Sequence, residues 1–205
     1  MPIPTSISAL KKHNWFSNYF HCLSASINIY MQTLIKKETK QFLNTYAPYC
    51  THALTLQMHL HTLNATERRM DKLNECAVRT TRQFISRLAY KAFGNGAKNK
   101  PNLYHPLVIT AIEGTQNTYD KNKSLHAHIA LGNILTAQSK IKTEEQLRQI
   151  IREAWLATDY GKDDIDIKTM QNNGWITYIT KEMQNGNMEC VSWENTHTPN
   201  AALFD

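Results

Sequence analysis

The sequence predicts an α+β fold of ferredoxin-like arrangement, with a central antiparallel sheet and flanking helices. Three observations predict it. The segments follow one another as β-α-β-β-α-β with a final unassigned stretch. Two short apolar runs, Leu107 to Glu113 and Leu125 to Leu131, stand next to each other across a polar, turn-prone connection. Two longer segments repeat their apolar residues every three or four positions, the period of a helix.

In chain order, residues 1–26 read as irregular, with Pro2, Pro4 and several serines. Ile27, Tyr30, Met31, Leu34, Ile35, Phe42 and Tyr46 are spaced as one face of an amphipathic helix over 27–46, and Pro48 ends it. The expected organisation is therefore a helical extension over 1–46 and a main domain over 47–205. Residues 49–60 alternate Ala53, Thr55, Gln57 against Leu54, Leu56, Met58, as a strand does. Asn64 or Thr66 is placed to cap a long helix with Glu67 in its first turn. Its inner stripe is Met70, Leu73, Ala77, Phe84 and Leu88, and Gly94 and Gly96 are expected to stop it before Pro101. Residues 144–158 form the clearest helix, with Leu147, Ile150, Ile151, Ala154 and Trp155 on one side. Residues 164–168 alternate as a short strand. The stretch GWITYITKEM (174–183) is ambiguous: its β-branched residues lean towards strand, while Asn185-Gly186 is a good helix stop.

The composition suits a packed domain, since 41% of the 205 residues are hydrophobic and the aromatic residues can anchor a core. A formal charge of +6 favours a polyanionic partner. Cys22, Cys50, Cys76 and Cys190 are widely separated, which excludes a zinc ribbon and reads as free thiols in a reducing cytosol. No apolar run approaches the ~20 residues that span a bilayer, and 1–16 lack the apolar core of a secretion signal. A soluble cytoplasmic protein is expected. No GxxxxGK[ST] phosphate loop occurs, so any ATP-driven helicase acting with this chain must come from a host or element-encoded partner.

The candidate chemistry begins with His126 and His128. Positions i and i+2 of a strand share a face, so the two imidazoles stand roughly 7 Å apart along the strand and can converge on one ion. Glu113 ends the preceding strand and comes within reach if the two strands form a hairpin. Two imidazoles and one carboxylate make a metal site open to a phosphate. A second pair, His59 and His61, lies at a strand end and reads as solvated. Tyr178 precedes Lys181 and Glu182, which share its face if the segment is helical. A phenol of pKa ~10 needs a nearby cation or metal to act as a nucleophile, and Lys181 can serve so.

Together IEG (112–114), LHAHIALG (125–132) and GWITYITKEM (174–183) resemble the HUH endonucleases, specifically the single-tyrosine initiators of rolling-circle replication found in plasmids and phages. The family pattern is a strand motif (here Ala53 to Met58), then His-hydrophobe-His, then Tyr-x-x-Lys with an acidic residue. RQFISRLAYKAFGNG (82–96) and WENTHTPN (193–200) are similar to bacterial and plasmid replication-associated proteins, so the likeness spans residues 50–199. The resemblance implies a site-specific endonuclease and strand transferase acting on single-stranded or hairpin origin DNA. Tyr178 would be the nucleophile, Lys181 its catalytic partner, Glu182 a support, and His126, His128 and Glu113 the ligands of Mn²⁺ or Mg²⁺.

The remaining expectations concern the DNA surface. Arg68, Lys72, Arg79 and Arg82 line one face of the long helix and, with Lys98 and Lys100, can track phosphates. Trp175 and Tyr160 can stack on unpaired bases. The same motifs fit a transposase or relaxase, although relaxases usually place their tyrosine before the histidines. They also leave open a non-catalytic origin-binding protein, or a metal-binding structural domain.

Overall fold

The computed structural model describes residues 30–114, 123–170, 174–179, 183, 187 and 190–198. The chain divides into two units, Met1–Gln41 and Phe42–Asp205. Helix α1 covers residues 30–46, and of its expected apolar stripe Tyr30, Met31, Leu34, Ile35 and Phe42 are exposed. Within the second unit Leu43 is buried, and Phe42 meets Tyr46 and, edge-on, Trp193.

Strand β1 (Cys50–His61) leads into helix α2 (Glu67–Phe93). Thr66 is the cap, its hydroxyl accepting the Arg69 N–H, and Gly94 ends the helix at φ +61°. Gly96 does not act as a stop: it sits inside a short helix, α3 (Asn95–Asn99), which the spacing of apolar residues gave no means to foresee. Next come β2 (Leu107–Glu113), β3 (Ser124–Gly132), α4 (Glu144–Leu156) and β4 (Gly161–Thr169). The last helix is α5 (Gly174–Ile179). The strand lean of that segment is overturned by tertiary packing, since a helical i, i+3 spacing is what stacks Trp175 on Tyr178.

The sheet is antiparallel throughout, in the order β2-β3-β1-β4. That order is the split βαβ of the predicted ferredoxin-like arrangement: β1 and β2 are joined through α2, and β3 inserts between them. Side chains alternate between two faces. One face carries Leu54, Leu56, Met58, Val108, Ile112, Leu125, Ala127, Ile129 and Leu131 against α2 and α4, where Phe84 meets Trp155 edge-on at 5.7 Å. The indole N–H of Trp155 reaches the carbonyls of Gln57 and Lys162, at 3.2 and 3.1 Å, so this large core residue leaves no stranded donor.

The other face carries Leu107, Ile109, Ala111 and Ala130 under Leu43, Met183, Cys190 and Val191, with Trp175 at the margin. The edge of β2 is covered by the segment 190–198. Val108 and His197 exchange backbone hydrogen bonds of 2.8 Å, and Ile112 and Ser192 donate to Cys190 and Thr110. This cover satisfies an edge that would otherwise present unpaired backbone groups. Among the described residues no helix is long and apolar enough to cross a membrane.

Candidate metal centre

Register and alternation bring the expected ligands together. Glu113 pairs with His126 across β2 and β3, and His128 follows on the same face of β3. The three offer ligand atoms that all lie within 4.8 Å of one another. The Glu113 Oε2 atom is 3.2 Å from His128 Nε2 and 3.5 Å from His126 Nε2. Ligands bonded at about 2.1 Å to one tetrahedral or octahedral ion stand roughly 3.0–3.4 Å apart, so the donor set is spaced to hold one. Glu113 and His128 are buried, while His126 is partly open.

Each imidazole is oriented from its far side. Nδ1 of His126 is 3.3 Å from the Ser124 carbonyl, an acceptor only, so Nδ1 donates and Nε2 is left with its lone pair. Nδ1 of His128 is 3.1 Å from the Thr55 hydroxyl on β1, which serves the same orienting purpose. Thr55 is a residue that sequence pattern does not single out, because its partner lies 73 positions away. Gly114, at φ +98°, turns the chain immediately after Glu113, and a Cβ there would meet the Ser124 carbonyl at 2.6 Å.

Tyr178 lies beside this group. Its ring centre is 5.1 Å from that of His128, edge to face, and 5.0 Å from Trp175, stacked. Trp175 also meets His128 at 5.5 Å. Tyr178 is 44% exposed, so it is reachable from solvent while its ring is held. Lys181 and Glu182 lie outside the described residues. A cation not foreseen, Lys168 on β4, belongs to the same face: Lys168 pairs with Ala53, and its neighbour Asp166 pairs with Thr55. The hydrogen bond and charge of Asp166, 2.6 Å away, hold the Lys168 ammonium above the usual lysine range, with Tyr178 adding a smaller contribution.

The expected DNA-contact residues are placed elsewhere. Arg68, Lys72, Arg79 and Arg82 are exposed on α2, the layer on the far face of the sheet from the histidines. Arg79 pairs with Asp159 at 3.3 Å and Arg82 with Glu194. Lys98 and Lys100 are exposed at and after α3. Tyr160 packs against the α2–α4 core, and its carbonyl accepts the His59 N–H at 2.9 Å. His59 and His61 are exposed at the end of β1, as expected. Of the cysteines, Cys50, Cys76 and Cys190 are free thiols, and burial pushes the Cys50 thiol up to about 12. Cys22 lies outside the described residues.

Set against known proteins, the chain matches no family model, no curated protein and no solved structure, so its chemistry is argued from its own geometry.

Proposed function

We propose that this chain is a single-tyrosine endonuclease of the HUH type, which nicks and rejoins single-stranded origin DNA and so initiates rolling-circle replication. The observation that carries the reading is the Tyr178 ring 5.1 Å from His128, the histidine that shares Glu113 with His126. A nucleophile of the right kind, a ligand set and an exposed approach occur together.

In this reading the phenolate oxygen of Tyr178 attacks the scissile phosphorus in line with the leaving O3′. A P–O bond to Tyr178 forms as the P–O3′ bond breaks. The phenol loses its proton, and the departing O3′ gains one to become a free 3′-OH that can prime synthesis. The 5′ phosphate stays on Tyr178 as a diester, so the bond energy is conserved and a 3′-OH can reverse the reaction without ATP. Lys181, three residues beyond Tyr178, and Lys168 supply positive charge to a phenolate and to the phosphorane-like transition state. Trp175 holds the Tyr178 ring, and Thr55 and the Ser124 carbonyl hold the imidazoles. A divalent ion held by Glu113, His126 and His128 supplies Lewis-acid polarisation of the phosphate. Two imidazoles with one carboxylate favour Mn²⁺ over Mg²⁺.

The test uses 5′- and 3′-labelled single strands carrying the hairpins of the chain's own replicon, incubated with Mn²⁺ and run on denaturing gels. The expected result is a site-specific nick with label retained on protein, lost in Tyr178→Phe and in His126→Ala/His128→Ala. Binding of those strands without cleavage would overturn the catalytic reading in favour of an origin-binding protein.

A further inference from the structure

A second pair of histidines lies at the opposite end of β2. His105 precedes the strand, and His197 is bonded to it through Val108. Their ring centres are 4.1 Å apart with planes inclined by 49°. Nδ1 of His105 is 3.0 Å from the Pro106 carbonyl, which only accepts, so Nδ1 carries the hydrogen and Nε2 the lone pair. His197 bonds to the Pro101 carbonyl. Its Nε2 is buried and has no hydrogen-bond partner among the described residues, so there too the bond runs through Nδ1. Both rings thus have the anchoring of a metal-ligating histidine: Nδ1–H fixed on a backbone carbonyl, Nε2 left as donor of electrons.

Both line one cavity of about 160 Å³, together with Glu194 and Asn195. That volume takes an ion and several waters, at ≈ 30 Å³ per water. Burial lowers the pKa of both imidazoles, and the neighbouring His105 helps bring His197 to about 4, so the pair is neutral at pH 7. A buried, unprotonated Nε2 asks for a Lewis acid or a proton donor.

We infer that His105 and His197 form a second divalent-metal site, suited to a borderline ion such as Zn²⁺, with the Glu194 carboxylate completing the donor set. Ring centres of 4.1 Å, against 4.7 Å for His126 and His128, must part by about half an ångström to share an ion at normal Zn–N lengths. Glu194 exchanges its pairing with Arg82 for the metal. The ion joins the segment before β2 to the 190–198 cover of its edge, and so acts as a structural staple. About 20 Å of strand separates this site from Glu113, and the inference stands independently of the nicking activity.

The test is equilibrium dialysis of the metal-stripped full chain against Zn²⁺, with metal analysis. The expected result is two equivalents for the wild type and one for His105→Gln, for His197→Gln and for His126→Ala/His128→Ala, with affinity at the altered site down at least tenfold. His105 is half-buried, so His105→Gln carries the test if His197→Gln fails to fold. The inference is overturned if the wild type binds none, or if His105→Gln binds as many equivalents as the wild type. A single wild-type equivalent lost in His105→Gln but kept in His126→Ala/His128→Ala would uphold this site and remove the metal from the proposed nuclease.

Discussion

The Thr55 hydroxyl, 3.1 Å from Nδ1 of His128, keeps that ring turned so that Nε2 meets Glu113. Orienting partners of this kind are worth 10–100-fold in metal affinity, so Thr55→Val is expected to weaken Mn²⁺ binding by about that factor in calorimetry. Unchanged affinity would reduce Thr55 to packing. A second buried histidine, His52, ties β1 to the start of α4 through Glu144 at 2.7 Å, and Glu144 also holds Arg148 at 2.9 Å. Burial pushes the Glu144 carboxyl up, but the hydrogen bond and charge of His52 and Arg148 outweigh it and hold it below 4.5. A depressed carboxylate stabilises the fold above its unfolded value and ceases to do so as pH falls through the folded one. Glu144→Gln should therefore lower Tm at pH 7, with the gap to wild type closing below about pH 4.5. A gap that persists at pH 3 would assign the effect to packing. His126, His128 and Glu113 were legible because strand alternation fixes which residues share a face. Thr55, His52, His105 and His197 were not, because each acts through a partner that only the folded chain supplies.

Among the elements, β1 enters the sheet at its pairing with Gly132, where a register shift follows Cys50. A Cβ on Gly132 would stand 2.0 Å from the Tyr49 carbonyl oxygen, and backbone cannot give way as a side chain does. Gly132→Ala is expected to cost about 2–3 kcal/mol in urea unfolding, and a change under 0.5 kcal/mol would contradict the close approach. The bounds of β2 and the Thr66 cap of α2 were legible, since an apolar run and a hydroxyl with Glu67 behind it are local signals. Strand β4 runs Gly161–Thr169, beyond the five residues that alternate, because backbone pairing with β1 extends it past its pattern. Helix α5 was not legible, because ring stacking over His128 overrides the preference of its β-branched residues.

At the scale of the molecule, the sheet separates two surfaces. The histidines and Tyr178 occupy one face, and the basic stripe of α2 lies on the layer against the other. Arg79 and Arg82 are held by carboxylates, whereas Arg68 and Lys72 have no ion pair among the described residues. Replacing Arg68 and Lys72 with Ala should lower the salt dependence of single-strand binding by about 0.7 for each phosphate that is no longer neutralised, and leave the nicking rate of bound DNA unchanged. A fall in that rate would place the reacting strand on α2. The βαββαβ order was legible at this scale, but its consequence for which charges face the site needed the sheet order.

The most direct test of the central claim is mass spectrometry of the Tyr178-containing peptide after reaction with a cleavable single strand and Mn²⁺. The account predicts a nucleotide 5′-phosphate linked to Tyr178, absent in Tyr178→Phe and when the metal is chelated. A nick whose 5′ phosphate is free, or linked to another residue, would contradict it.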